Sequence, residues 1–326
     1  MSDSSIFVVI PNWNGKELLG ACLDSLQAQT QKAIIVVVDN GSTDGSQALI
    51  KERYPDVQLI EQDKNYGFTG GVNPGIELAI KSGAEYVALF NNDAVADQEW
   101  LSQLQAAMSE AMLGIVTSKI LLMDKKHLDS TGEGYSIWGW PFPRGRNELD
   151  HQQYDGQTEI FAASGGASLY RVSMIKEIGL FDQDFFAYLE DVDISFRAQL
   201  AGWQVRYIPS AMVYHKMNAT SSKHPGFSRF HFTKNLLLLY AKDMPTILYW
   251  KYLPLFMIAW LRLAVGSLLQ GKFWPFLKGW LKALTLLPGI LVKRRQIQRA
   301  RKVPVSYIKS MLYHHRPPRP PKLGEL

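Results

Sequence analysis

Short apolar runs alternate with longer amphipathic segments along the first ninety residues of this chain. Residues 6–10, 33–38, 57–60 and 86–90 are runs of four to six, rich in Ile and Val and closed by polar residues. Such runs read as strands buried on both faces. Between them, residues 16–29 and 44–53 have helical spacing, the second capped near Ser42 or Asp44. A glycine-rich turn starting at Asn65 opens a third helix, reaching Ile80. Alternation of this kind predicts right-handed βαβ units and a mostly parallel sheet flanked by helices. After Gly114 the pattern loosens. Strands are expected at 115–121, 167–171, 205–208 and 212–214, and a helix at 190–201. The aromatic, glycine-rich stretch 134–143 is expected to be a loop that covers or shapes a pocket.

The polar residues that close these strands carry the candidate chemistry. In α/β folds, ligands bind outside the carboxyl ends of the strands. Four segments fall there in order: Pro11-Asn12-Trp13-Asn14, Asp39-Asn40-Gly41-Ser42, Asn91-Asn92-Asp93 and Glu190-Asp191-Val192-Asp193. A carboxylate at Asp39 can accept from the N3–H of uracil or thymine, and the amides after it suit phosphate or ribose. The same Asp-Asn-Gly-Ser is also ordinary turn chemistry. Asp93 can hold Mg²⁺ or Mn²⁺ if ligand phosphates supply the other oxygens. In 190–193, Glu190 and Asp193 share a helical face while Asp191 projects elsewhere. A carboxylate beside a cleft can act as a general base. The competing reading is favourable charge at a helix N-terminus, with Arg197 paired to Asp193. The glycines of Asn65-Tyr66-Gly67-Phe68-Thr69-Gly70-Gly71 either let a nucleotide approach the backbone or let helix and sheet pack closely. Their spacing is not that of a dinucleotide fingerprint.

Composition changes the picture at the C-terminus. The 326 residues, 47% of them hydrophobic, can fill one large domain or two smaller ones. The single cysteine, Cys22, excludes an intrachain disulfide and fits a reducing compartment. The start, MSDSSIFVVI, lacks the basic and small-residue features of a secretory signal. Of the net charge of +5, residues 287–326 carry +9 and the remainder −4. This basic end follows apolar stretches at 245–269 and 273–292, in which Lys251, Arg262, Lys278 and Lys282 interleave with Trp and Leu. Helices lying in the interface of an anionic membrane are expected. The alternatives are a transmembrane helix at 245–269, opposed by Arg262 near its middle, which costs about 2.5–3.5 kcal/mol, and a soluble helical subdomain packed on the sheet. No aromatic stacking platform accompanies the basic residues, so nucleic acid is not an expected partner. The Arg316-Pro-Pro-Arg-Pro-Pro end is expected to be extended and mobile.

As an ordered set, these segments resemble the family 2 glycosyltransferases of the GT-A fold, especially the bacterial rhamnosyltransferase-like branch. The resemblance rests on 9–14, 38–42, Asn65-Tyr66-Gly67-Phe68 with Asn73, and 89–93. Its strongest parts are the run 179–197, Ala201-Gly202-Trp203 and Tyr214-His215. It implies a catalytic domain at 1–240, a membrane-associating helical region at 241–303 and a basic tail at 304–326. It implies Asp191 as catalytic base, with Pro11, Asn12, Asn14, Asp39, Asn65, Gly67, Asn92 and Asp93 around the nucleotide. Asp93 and His215 would hold the metal, and Glu190, Asp193, Gly166 and Trp203 would surround the acceptor or support the site. The familiar Asp-x-Asp signature is here Asn91-Asn92-Asp93, with a single carboxylate. The implied reaction is inverting transfer from a dTDP- or UDP-sugar, rhamnose favoured, to a polyprenol-linked saccharide at the cytoplasmic face of the plasma membrane. The alternatives are a sugar-nucleotide or carbohydrate binding protein of the same fold, and a nucleotidyltransferase. The latter would ordinarily carry a glycine-rich phosphate loop after the first strand, where this chain has one glycine, Gly15.

Overall fold

A computed structural model describes residues 5–216 and 225–321. Its centre is a mixed sheet in the order β3-β2-β1-β4-β10-β6-β11-β5. The first four strands along this order, β3 (Gln58–Glu61), β2 (Ile34–Asp39), β1 (Ile6–Asn12) and β4 (Tyr86–Phe90), are mutually parallel. They are linked through α1 (Lys16–Gln27), α2 (Ser46–Arg53) and α3 (Gly67–Lys81). Alternate residues of β1 feed two separate cores. Ile6, Val8 and Ile10 pack toward α1 and α2, while Phe7 and Val9 pack toward α3. The two-residue period of a strand with both faces covered makes the run continuously apolar.

Beyond β4 the connections change. The chain continues directly into β5 (Ala94–Ala96) and α4 (Trp100–Ala107), then β6 (Leu113–Leu122) and β7 (Leu128–Ser130). β10 (Ala167–Arg171) inserts antiparallel between β4 and β6, pairing Ala167 with Phe90. This reversal has a functional consequence: the amino end of β10 meets the carboxyl end of β4, so residues 164–166 join the same rim as residues 91–93. α5 (Val172–Ile178) and α6 (Glu190–Leu200) follow. The strands expected at 205–208 and 212–214 form one strand, β11 (Gln204–His215), with its register shifted between Ile208 and Met212. Pro209 lies at that shift, where the missing N–H costs least.

Stretch 134–143, expected as a loop, is largely a hairpin of β8 (Glu133–Tyr135) and β9 (Pro141–Pro143). Most of the glycine-rich segment is helix. In α3, a Cβ on Gly75 would lie 2.5 Å from Val9 Cγ1, and one on Gly71 would lie 2.6 Å from Asn40 Nδ2. These glycines serve close helix–sheet packing.

The C-terminal region is helical: α7 (Phe227–Asp243), α8 (Thr246–Leu269), α9 (Phe273–Ala300) and α10 (Val305–Met311). Residue 240 falls inside α7, whose Leu236, Leu239 and Tyr240 share a core with α6, α8 and α9. α8 and α9 are long and apolar enough to cross a membrane by length and composition. The proline-rich end is not free. Tyr313 bridges to Ser136 of the hairpin region, and Asn147 Nδ2 donates to the Pro321 carbonyl at 2.9 Å. Residues 322–326, like 217–224, lie outside the described residues.

Candidate active site

The strand ends and the start of α6 enclose one cavity of about 670 Å³. β1 contributes Pro11 and Asn12, the turn after β4 contributes 91–93, and the lead into β10 contributes 164–166. Asn65 and Gly67 come from the start of α3, Glu190 and Asp191 from α6, and His215 from the end of β11.

On the nucleotide side, Asn12 is the connecting group. Its Nδ2 donates to Asp39 Oδ2 at 2.9 Å, and its Oδ1 accepts from Asn92 Nδ2 at 2.8 Å. Asp39 is fully buried and does not line the cavity. Its Oδ1 accepts from Ser42 N at 2.9 Å and from Gln47 Nε2 at 2.7 Å. With three donors on it, this carboxylate fixes the loop after β2 against β1. Asn14 also stands behind the wall, with φ 51°, its N–H donating to Ser42 Oγ and its Oδ1 accepting from Thr43 N. Asn65 Oδ1 accepts from Gly67 N at 2.7 Å, and Gly67 takes φ 75°, where the Phe186 carbonyl leaves no room for a Cβ.

At the other end of this rim, His215 bridges two carboxylates. Its Nε2 is 3.0 Å from Asp93 Oδ1 and its Nδ1 2.8 Å from Asp129 Oδ2. Burial opposes protonation of His215, but the bonds and charges of Asp129 and Asp93 outweigh it and raise the imidazole to about 9. Burial also opposes ionisation of Asp129, yet His215 and Arg146 hold that carboxyl below the usual range. The pair Asp93 and His215 fits a divalent cation. Cis ligands of an octahedral ion bound at about 2.1 Å stand about 3.0 Å apart, the separation of these two atoms. A bond from Nδ1–H to Asp129 would leave the Nε2 lone pair for the ion, the usual support of a metal-binding histidine. Among the described residues no group of three or more His, Cys, Asp or Glu is arranged to hold a metal.

The base candidate sits at the start of α6. Asp191 Oδ2 accepts from Gly165 N at 3.0 Å and its Oδ1 from Val192 N at 2.8 Å. Burial raises its pKa against the lowering effect of these amides. Glu190 borders the same cavity, is raised well above the carboxylate range by burial and by the Asp191 charge, and leaves Oε2 without a hydrogen-bond partner. Asp193 does not line the cavity. It is buried away from the cavity, 2.9 Å from Arg197 Nε and 2.5 Å from Lys242 Nζ. These ion pairs hold it there. Trp203 is also remote from the cavity, its Nε1 donating to Glu177 Oε2 at 3.1 Å. Gly166 is at the rim, where its carbonyl accepts from Asn91 N at 2.9 Å.

The glycosyl transferase family 2 model matches residues 7–179, more than half of the chain. The chain belongs to glycosyl transferase family 2. An N-acetylglucosaminyl-diphospho-decaprenol L-rhamnosyltransferase of Mycobacterium tuberculosis is 29% identical over 224 residues, covering 62% of this chain and 73% of the relative. A dTDP-rhamnosyl transferase, RfbF, of Shigella flexneri is 25% identical over 255 residues, covering 74% and 81%. These relatives place the transferase with the rhamnosyltransferase-like branch. Among solved structures, GalNAc-T7 with UDP, GalNAc and Mn²⁺ superposes with a TM-score of 0.58 at 17% identity. It covers 73% of this chain, which spans 48% of that one. The fold of the transferase is GT-A.

Sequence reasoning missed two acidic residues of the transferase cavity. Asp129 lies on the short strand β7, and Glu133 opens β8, both inside the irregular region. Burial raises Glu133 to about 8; Arg146 opposes this and the Asp191 charge adds to it. A local Leu-Asp-Ser-Thr pattern gives no hint that its Asp pairs with a histidine 86 residues away.

Proposed function

We propose that this protein transfers a sugar from a dTDP- or UDP-sugar, with rhamnose favoured, to a hydroxyl of a saccharide acceptor in surface polysaccharide synthesis. The observation that carries the reading is that one cavity collects Asp191 with Asp93 and His215. In the proposed displacement, Asp191 takes the proton of the acceptor hydroxyl as its oxygen attacks the anomeric carbon. The bond from that carbon to the diphosphate oxygen breaks, and the nucleoside diphosphate leaves with the electron pair. A single displacement inverts the anomeric centre. Mg²⁺ or Mn²⁺ held by Asp93 and His215 would supply positive charge to the leaving diphosphate. The buried amides on Asp191 keep its carboxylate aimed while it waits for a proton.

The acceptor is proposed to be polyprenol-linked and met at the cytoplasmic face of the membrane. Support comes from α8, which is apolar on two sides. Leu248, Tyr252, Phe256 and Leu263 form its buried stripe, while Trp250, Leu261 and Leu268 are more than 60% exposed. A helix whose inner stripe packs into the core shared with α7 and α9 favours lying in the interface over spanning it, with its outer face among the lipids. The +9 charge of residues 287–326 adds attraction to anionic headgroups.

The test is a panel of sugar nucleotides, dTDP-rhamnose and UDP-sugars among them, assayed for nucleoside diphosphate release by wild type and by Asp191→Asn. Release by wild type that the variant loses is expected. No release from any donor, or release of pyrophosphate, overturns the reading.

A further inference from the structure

The loop 182–189 leads into α6, which carries Asp191 in its first turn, and its last four residues, 186–189, line the active-site cavity. It has an unfavourable backbone: Phe186, Tyr188 and Leu189 take φ of 65°, 70° and 67°. Large side chains avoid this left-handed region, and such a conformation persists only when surroundings over-determine it. The surroundings here are mainly helices of the C-terminal region. From α7, Asn235 Nδ2 lies 2.9, 2.8 and 2.6 Å from the carbonyl oxygens of Phe185, Ala187 and Tyr188. Lys234 Nζ donates to the Phe185 carbonyl at 3.1 Å and also to that of Asp184. Lys242 Nζ joins Asp182 Oδ2 at 2.6 Å to Asp193 in α6. From α9, Lys293 Nζ reaches Asp182 Oδ1 at 2.6 Å and Asp184 Oδ2 at 2.7 Å.

We propose that Lys293 and Asn235 are positioning residues for catalysis: they clamp the loop 182–189 so that Asp191 stays aimed into the cavity. The proposal rests on the reading of Asp191 as base. Both residues lie outside the segment 7–179 that the family model matches. Asn235 binds the carbonyl of one strained residue, Tyr188, and those of Phe185 and Ala187 beside another strained position, Phe186. Lys293 acts from the helix whose outer face carries the exposed Trp274, Leu281 and Leu291, so the apolar outer helix and the catalytic loop are joined by two ion pairs. The Lys293 side chain is 37% exposed. Its removal leaves no buried unpaired cation, and Asp182 keeps Lys242, so the fold should survive.

The experiment compares full-length Lys293→Met, Lys293→Arg and Asn235→Ala with wild type, using the donor found by the sugar-nucleotide panel and hydrogen exchange of 182–191. In Lys293→Met and Asn235→Ala, kcat should fall about 10- to 100-fold, the cost of misplacing a reacting group by about 1 Å. Donor KM should stay within about threefold, because neither Lys293 nor Asn235 lines the cavity. Lys293→Arg should recover most of the activity, and exchange in the loop should rise in the two damaging variants. Unchanged kcat, or unchanged loop exchange, overturns the clamp. A fall in kcat that tracks a fall in Tm, with no recovery in Lys293→Arg, also overturns it. The reading of Asp191 fails separately, if loop exchange rises as expected while Asp191→Asn remains active.

Discussion

His215 stands between Asp93 and Asp129, with Nε2 3.0 Å from one carboxylate and Nδ1 2.8 Å from the other. The two bonds are not equivalent. Both carboxylates border the cavity, but Asp129 is the more deeply buried and is also approached by Arg146. Asp129 therefore orients the ring that Asp93 shares. Asp129→Asn should weaken Mn²⁺ binding by about 10- to 100-fold, the usual effect of losing a partner behind a metal-binding histidine. Titration followed by electron paramagnetic resonance of free Mn²⁺ checks this, and unchanged affinity would remove Asp129 from the site.

If Asp93 and His215 hold one ion, their losses are coupled. Asp93→Ala and His215→Ala should each weaken metal-dependent donor binding, and the double variant should lose less than the sum of the two, by at least about 0.5 kcal/mol. Calorimetric titration of the donor with and without Mn²⁺ gives the cycle. Additive losses would mean separate roles.

Asp191→Asn keeps the size of the side chain and removes the base. Turnover should fall at least about 10²-fold, while donor binding is nearly retained. Burial holds the Asp191 pKa above its ordinary value. The active carboxylate is therefore lost as pH falls through that raised value, and the acid limb of kcat/KM should lie above about 3.9. A pH-rate profile checks this; a limb at or below that value contradicts Asp191 as the titrating base.

The outer face of α8 offers a test that spares the core. Trp250 and Leu261 are 66% and 61% exposed. Replacing both by Glu should leave Tm nearly unchanged and weaken sedimentation with anionic vesicles by about tenfold or more, since each large apolar side chain is worth about 1.5–3 kcal/mol when fully buried. Removing residues 245–326 is a different matter. Leu236, Leu239, Tyr240 and Met244 would lose the partners they share a core with in α8 and α9. The truncated chain should aggregate or show no cooperative melting, whereas a soluble domain with a sharp transition would show the helices to be dispensable.

The parallel half of the fold was legible because its strands are buried on both faces and its helices are regular. β4 was read at its observed bounds, and β1 and β2 to within two residues at either end. The polar ends of these strands did converge, and the metal and base candidates share the cavity they were expected to share. What the sequence did not disclose lies in contacts between distant segments. The burial of Asp39 depends on Gln47 and Asn12 closing over it. Asp193 is paired with Lys242, from a helix whose pattern is apolar enough to hide a buried cation. Trp203 follows a helix end that resembles the family pattern, but its indole is held by Glu177 on the far side of α6. The docking of the proline-rich end needed Asn147, which no composition rule singles out.

That last contact joins residues 174 positions apart. During synthesis, the half of the chain that carries most of the site leaves the ribosome first, and domains tend to fold in that order. The hairpin region, however, must wait for Tyr313, and Asn147 beyond it for Pro321, 174 positions later. Until then Tyr135 and Phe142 lack the backbone and ring that meet them in the finished molecule. A nascent transferase thus has its nucleotide side before its hairpin is fastened.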